Sequence, residues 1–215
     1  MTIASLVLLA LYLALAFGGR TLVQLRSTGS TGFKGISGRP FSAEWAGGVL
    51  FVAAVVLFLA APLLALAGAA EPIAALDGPL GHALGFVLFF AGLTGTLVAQ
   101  WAMGRSWRIG VDEKEKTELV TAGPFALVRN PIFSAMVPAF AGLALLVPNA
   151  ASLLGAAALV AAVEIQVRLV EEPYLLRAHG ARYAGYASRV GRFVPGVGLL
   201  RAAGVRPPRA RGGLR

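Results

Sequence analysis

Residues 129–172 read RNPIFSAMVPAFAGLALLVPNAASLLGAAALVAAVEIQVRLVEE. Two apolar runs, at residues 132–147 and 150–167, are joined by a Pro-Asn pair. Neighbouring runs of this kind, separated by so short a turn, are typical of a helical hairpin that enters a membrane and returns. Arg129 stands before the first run and Glu171-Glu172 follow the second. We therefore expect this cation and these carboxylates to meet at the same membrane face.

The composition of the whole chain supports a membrane-embedded protein. It is 57% hydrophobic and 13% charged, with a mean hydropathy of +0.76, whereas soluble domains carry about 25% charged residues. A helix needs about 20 apolar residues to cross the hydrocarbon core of a bilayer. The sequence predicts an all-α integral membrane protein with about five transmembrane helices, the last two forming a tight hairpin. The expected spans are residues 3–25, 45–68, 80–103, 132–147 and 150–167.

The distribution of charge predicts the orientation of these spans. All 19 Lys and Arg residues lie near the end of span one or between spans one and two, between spans three and four, or after span five. The only charged residues in the loop between spans two and three are Glu71 and Asp77. Because positive residues remain inside, we expect an outside N-terminus, a cytoplasmic C-terminus and a site facing the cytoplasm of a bacterial-type cell membrane. Topology and attraction to anionic lipid account for the net charge of +9, so nucleic acid is not an expected partner.

The content of cysteine and histidine narrows the possible chemistry. The chain has no cysteine and two histidines, which excludes disulfides, thiolate metal sites and a cysteine nucleophile. A Ser-His-Asp triad is disfavoured, because His82 is predicted to lie outside and no aspartate is near His179. A histidine-based metal site is also disfavoured, because the chain has only two histidines. We expect no metal.

We expect one structural domain with three regions. Residues 1–103 form three membrane helices, residues 104–198 hold the hairpin and the candidate site, and residues 199–215 form a basic disordered tail. Residues 104–130 mix apolar and charged side chains and are long for a connection. We expect them to pack as a lid over the cytoplasmic mouth.

Arg129 is the first candidate binding residue. Pro131 suits the first turn of a helix, and a helix N-terminus with its free N–H groups favours an anion. Arginine adds a planar, bidentate binder of carboxylate or phosphate. The alternative is a positive-inside anchor that reaches toward lipid headgroups. Asn130 offers a donor and an acceptor, or a helix N-cap.

An acidic stripe is the second candidate. Glu164, Arg168, Glu171 and Glu172 recur at offsets that place them along one face of a regular helix. Charged residues in a span normally face the bundle interior, so Glu164 and Arg168 are expected to form an ion pair. Glu171-Glu172 oppose the basic trend of that face. They are candidates to bind an ammonium group, or else they neutralise nearby arginines.

Together these motifs resemble those of the isoprenylcysteine carboxyl methyltransferase and phospholipid methyltransferase family of integral-membrane enzymes. That family carries a signature like G-P-Y-x-x-V-R-H-P-x-Y, an apolar hairpin, then E-E-x-x-L-x-x-x-F-G-x-x-Y-x-x-Y and a closing proline. The resemblance covers roughly residues 100–198. The corresponding residues here are Gly123, Pro124, Phe125, Val128, Arg129, Asn130, Pro131, Ile132, Phe133, Glu171, Glu172, Leu175, His179, Gly180, Tyr183, Tyr186, Val190 and Pro195.

The resemblance implies methyl transfer from S-adenosylmethionine at the cytoplasmic membrane face. Arg129 at the helix start would bind the cofactor's carboxylate, and Glu171 or Glu172 its ammonium. Tyr183, Tyr186 and Arg189 would close the pocket or orient the acceptor, although the two tyrosines also fit an interfacial aromatic belt. The implied cofactor-binding residues are Arg129, Asn130, Pro131, Phe133, Glu171, Tyr183 and Tyr186, and the implied catalytic residues are Glu172 and Arg189.

Two departures from the signature leave the acceptor open. Asn130 stands where the family usually has histidine, and Phe133 where it has tyrosine. The asparagine side chain does not titrate, which weakens the hypothesis of a general base at this position. The expected acceptor is a membrane lipid or lipid-attached molecule such as an isoprenylcysteine carboxylate. A phospholipid amine or a small thiol is the alternative.

Two other functions compete with methyl transfer. One is an NADPH-dependent reductase of the sterol-reductase type, and the other is a non-catalytic membrane scaffold. The sequence leaves the oligomeric state open.

Overall fold

The computed structural model describes residues 1–31, 36, 38–104 and 119–200. Most of the expected lid, residues 105–118, and the tail from residue 201 onward lie outside the described residues. Helices make up about 75% of the described residues, which contain no β-strand, in agreement with the predicted all-α fold. They are α1 (Thr2–Thr28), α2 (Ala43–Leu66), α3 (Pro79–Met103), α4 (Pro131–Leu146), α5 (Ala150–Ile165) and α6 (Glu172–Ala187).

Within the described residues, four helical segments are long and apolar enough to cross a membrane. They are α1, α2, α3 and the helical run from α5 through α6, which has a kink at Gly180, where the backbone leaves the helical conformation (φ 50°). The fifth, α4, is apolar but has 16 residues, a length of about 24 Å at 1.5 Å per residue. The predicted all-α membrane fold is confirmed. The last helix extends to Ala187, well past the expected end of span five at residue 167, because a π-helical segment, Gln166–Glu171, joins α5 to α6.

The predicted tight hairpin forms between α4 and α5. Asn149 accepts a hydrogen bond from the Ser152 backbone N–H at 3.0 Å, and the Asn149 N–H donates to Ser152 Oγ at 3.1 Å. This reciprocal capping box satisfies donors that a helix start leaves unpaired. The Asn149 side chain also donates to the Ala61 carbonyl at 2.9 Å, which attaches the hairpin tip to α2.

The two arms of the hairpin pack mainly on different neighbours, α4 on α3 and α5 on α2. Glycines allow the first contact, since a Cβ on Gly142 would lie 2.4 Å from the Gly85 carbonyl oxygen. Phe140 on α4 contacts Tyr12 of α1 and Phe58 of α2, with ring centroids 5.0 and 4.9 Å apart. The core of the bundle therefore lies where the hairpin meets α1 and α2.

A polar ladder joins α1 to α3. The Tyr12 hydroxyl lies 3.0 Å from Thr96 Oγ1, and Gln100 donates to the Ala16 carbonyl at 2.8 Å. One turn further, Arg20 donates to the carbonyl of Gly104. Ala16 lies in a second π-helical segment, Leu13–Gly19. Because both residue numbers rise together along the ladder, α1 and α3 run parallel, as the alternation of the predicted spans requires.

Candidate functional site

The site is built where the chain enters α4. A short 3₁₀ turn, Gly123–Ala126, precedes an extended segment at residues 128–130. This segment pairs with the stretch that follows α6. The Arg129 N–H donates to the Gly191 carbonyl at 2.8 Å, and the Asn130 N–H donates to the Arg192 carbonyl at 3.1 Å. Residues 188–200, here called the C-terminal turn, are thereby held against the start of α4.

Gly191 allows this turn to close. A Cβ at Gly191 would lie 2.0 Å from the Val194 carbonyl oxygen and 2.8 Å from the Gly196 nitrogen. These are backbone atoms that cannot swing away as a flexible side chain would. The backbone therefore passes over residue 191 at a distance that only glycine permits.

Arg129 is buried, with 5% of its surface exposed, and its guanidinium is surrounded by protein acceptors. Nη1 donates to the carbonyls of Ala187 at 3.1 Å and Val190 at 2.5 Å. Nη2 donates to the Gly198 carbonyl at 3.1 Å and to Glu172 Oε1 at 2.5 Å. This arginine is an internal residue at one end of the helical bundle, and the alternative of an anchor reaching lipid headgroups does not describe it.

Glu172 accepts hydrogen bonds from two arginines. Besides Arg129, Arg192 donates through Nε to Oε1 at 2.8 Å and through Nη2 to Oε2 at 2.9 Å. The bond to Glu172 raises the pKa of the Arg192 guanidinium, which keeps it charged. Two cations thus share one buried carboxylate, and the group has a surplus of one positive charge. We call Arg129, Glu172 and Arg192 the ionic triad.

The tyrosine pair lies beside the triad. Tyr183 is 2% exposed and its ring centroid is 6.1 Å from that of Tyr186. The Tyr186 hydroxyl donates to the Phe125 carbonyl at 2.5 Å, which fixes the 3₁₀ turn to α6. Leu175 and Val190 pack against the pair. Both tyrosines are buried in a small cluster of their own, and an interfacial belt does not describe them.

The remaining predicted residues are distributed around this centre. Asn130 donates through its side chain to the Arg192 carbonyl at 3.1 Å and makes no side-chain cap. Pro131 is buried at the first position of α4, and Phe133 packs against the main core. Glu171 is half-buried and lies 3.4 Å from the Gln166 side-chain nitrogen. Arg189 is exposed.

The stripe expected along the last helix is interrupted. Glu164 and Arg168 form the expected ion pair, but their side chains are 36% and 54% exposed. The π-helical segment then adds a residue to the turn, which rotates the following positions by about 100° relative to a regular helix. Glu172 is buried as a result, and Glu171 lies half-buried beside it.

Sequence reasoning missed Arg192 and Ser134. Ser134 Oγ donates to the carbonyls of Asn130 at 2.9 Å and Phe193 at 2.8 Å, a second link between α4 and the C-terminal turn. Arg192 stands three residues before Pro195, among many arginines in that part of the chain, and the sequence offers no signal that distinguishes it. A guanidinium surplus beside the half-buried Glu171 gives the site the means to hold an anion and a cation side by side.

Comparison with known protein families found a match. Residues 80–182 match the model of a family described as phospholipid methyltransferase, which comprises integral-membrane methyltransferases. The match confirms the resemblance expected from the motifs. It covers α3, α4, α5 and much of α6, and it includes Arg129 and Glu172 but not Arg192. No curated protein and no solved structure matches the chain significantly.

Proposed function

We propose, from the membership of residues 80–182 in the phospholipid methyltransferase family, that this protein transfers a methyl group from S-adenosylmethionine to the polar head of a lipidic acceptor. One observation carries the proposal. Two motif residues 43 positions apart, Arg129 and Glu172, meet in a buried ion pair of 2.5 Å at one end of the helical bundle. Motif residues that converge at the end of membrane helices favour chemistry at the membrane surface.

The residues at this point fit the amino-acid end of S-adenosylmethionine, which carries a carboxylate, an ammonium and a sulfonium. The ionic triad has one positive charge in excess of its single carboxylate. It lies at the N-terminus of α4, where the helix dipole adds positive potential. The Nε atom of Arg129 is buried and has no hydrogen-bond partner within the described residues. Glu171 supplies a half-buried carboxylate nearby.

Each residue then has a proposed role. Arg129 and the start of α4, with Asn130 and Pro131, attract the carboxylate, and Arg192 is the triad's more accessible cation, with 12% of its side chain exposed. Glu171 is the proposed partner of the ammonium. Phe133, Tyr183 and Tyr186 form walls, and aromatic faces attract a sulfonium by cation–π interaction.

The catalytic assignments follow the same geometry. S-adenosylmethionine supplies an electrophilic methyl group when bound, so positioning of the acceptor dominates catalysis. Both oxygens of Glu172 already accept guanidinium hydrogen bonds, which supports a role in holding the site more than one as general base. Arg189 is exposed, and its proposed role is to attract the phosphate or carboxylate of an acceptor.

Two kinds of lipidic methyl acceptor are compatible with this site. The family description favours a phospholipid amine, which must lose a proton and for which Glu171 is the half-buried carboxylate at hand. An isoprenylcysteine carboxylate needs no base, and Asn130, which cannot titrate, is compatible with it. Transfer of radiolabelled methyl to phosphatidylethanolamine or to an isoprenylcysteine, each offered in nanodiscs, distinguishes them.

Binding of S-adenosylhomocysteine, measured by calorimetry on the purified protein, tests the cofactor site. We expect Glu171→Ala and Arg129→Ala to weaken binding about 10- to 100-fold, since a charge-assisted hydrogen bond contributes about 1.5–3 kcal/mol. Arg168→Ala, on the exposed pair of the same helix, is the matched control and should bind normally. Absence of binding to the folded wild-type protein would contradict the proposal and favour the reductase or the scaffold.

A further inference from the structure

The hydrogen-bond donors of Arg129 are almost fully occupied by the protein itself. The guanidinium of arginine has five N–H donors. Those on Nη1 and Nη2 bind the carbonyls of Ala187, Val190 and Gly198 and the carboxylate of Glu172. Only Nε has no partner within the described residues, and it is buried in a side chain that is 1% exposed. Arg129 therefore contributes positive charge to an incoming anion, but it has a single buried N–H group to offer as a contact.

The donors of Arg192 are arranged differently. Nε and Nη2 bind the two oxygens of Glu172, at 2.8 and 2.9 Å. Nη1 makes no hydrogen bond to any residue in the part of the chain that the structure describes. It lies against Gly198, where a Cβ would come within 3.3 Å of it. The side chain is 12% exposed, so Arg192 keeps two N–H groups on its Nη1 edge for a ligand.

The backbone of Arg192 is fixed on both sides. Its N–H donates to the Val197 carbonyl at 2.7 Å, and its carbonyl accepts from both the N–H and the side-chain nitrogen of Asn130, each at 3.1 Å. A guanidinium that is held at its backbone and along one edge loses little conformational freedom when it binds an anion. Asn130 therefore acts on the site by holding Arg192 in place.

We propose that Arg192, through Nη1, makes the direct contact with the carboxylate of S-adenosylmethionine, and that Arg129 is a positioning residue. The inference rests on the proposed function. Glu172 binds both guanidiniums, and the three side chains carry a net charge of +1. One carboxylate neutralises this charge. A planar guanidinium edge is also the group best matched to a carboxylate in proteins.

Calorimetry with two ligands tests this assignment. S-adenosylhomocysteine carries the carboxylate and the ammonium, whereas decarboxylated S-adenosylhomocysteine keeps only the ammonium. We expect Arg192→Ala to weaken binding of the first ligand about 10- to 100-fold and to change binding of the second by less than about twofold. Arg182→Ala removes an exposed arginine of α6 and is the matched control, which should change neither. Arg129→Ala should weaken both, because the C-terminal turn and Arg192 lose their support.

Arg192→Lys provides a second variant. Lysine keeps the charge but has one nitrogen, which cannot bind Glu172 along one edge and a carboxylate along another. We expect it to show part of the same selective loss. Retained binding of the decarboxylated ligand by either variant reports that the site is folded.

The other outcomes are distinct. Unchanged binding of S-adenosylhomocysteine by Arg192→Ala overturns the inference, and a raised KM for the phospholipid in that variant would assign Arg192 to the acceptor instead. Equal weakening of both ligands in the Arg192→Ala and Arg192→Lys variants also overturns it, by showing a purely structural role. Absence of binding of either ligand to the wild-type protein defeats the proposed function itself.

Discussion

Glu172 connects three separate parts of the chain at the site. Its carboxylate sits on α6 and accepts from Arg129 at the entry to α4 and from Arg192 in the C-terminal turn. Removing one partner of a buried ion pair costs about 3–5 kcal/mol, because the remaining charge is left without compensation. The carboxylate therefore stabilises the local fold as well as the charge balance of the site.

The first prediction concerns this carboxylate. Glu172→Gln should lower the free energy of unfolding by about 3 kcal/mol, since the buried Arg129 and the partly buried Arg192 then face a neutral amide. Glu164→Gln makes the same chemical change in an exposed pair on the same continuous helix. It should cost less than about 0.5 kcal/mol. Denaturant unfolding in micelles measures both, and equal losses would show that the triad adds no stability.

The second prediction concerns Gly191. Gly191→Ala places a methyl group 2.0 Å from the Val194 carbonyl oxygen, so the C-terminal turn must open. Overpacking of this kind costs about 1–3 kcal/mol, and we expect binding of S-adenosylhomocysteine to fall with it. Gly185→Ala is the matched control, because a Cβ there meets no atom within 4 Å. A Gly191→Ala protein as stable as this control would refute the close approach.

Arg129 and Glu172 could be recognised as candidates from the sequence, because each differs in character from the residues around it. Arg129 precedes a helix-starting proline, and Glu172 opposes a basic trend. Arg192 is one of ten arginines from Arg168 onward, and nothing local distinguishes it. Its role depends on backbone pairing between residues about 60 positions apart. Such a long-range pairing cannot be predicted from the pattern of residue types along the chain.

At the scale of elements, the π-helical segment sets the direction of both glutamates. Hydropathy predicted the spans well, because the thickness of the bilayer fixes their length. It did not predict Gln166–Glu171, since one additional residue in a turn leaves composition and periodicity almost unchanged. A regular helix would have kept Glu164 and Glu172 on a common face. In the structure one is partly exposed and the other buried.

The third prediction follows from this segment. Deleting Leu169, which is 61% exposed, should convert the π turn to α-helix and rotate Glu172 by about 100° away from Arg129. We expect helical content by circular dichroism to remain, while binding of S-adenosylhomocysteine is lost. Leu169→Ala keeps the length of the chain and should bind normally. Retained binding in the deletion variant would mean that the segment does not position the site.

At the scale of the whole molecule, the charge partition predicts the orientation in the membrane. The fourth prediction uses the absence of native cysteine. Ala181→Cys, exposed on α6, should react with an impermeant maleimide only in inside-out vesicles, and Ala75→Cys, exposed in the loop between α2 and α3, only in right-side-out vesicles. The reverse pattern would place the candidate site outside the cell.

The separate packing of the hairpin arms also has a consequence for biosynthesis. The chain pairs α3 with α4 and α2 with α5, a nested order in which the last two spans to leave the ribosome complete interfaces begun by earlier ones. Until Asn149 docks on Ala61, α2 and α3 present glycine-lined and aromatic faces to lipid alone. A nascent chain arrested after Met103 therefore lacks one side of both of these interfaces.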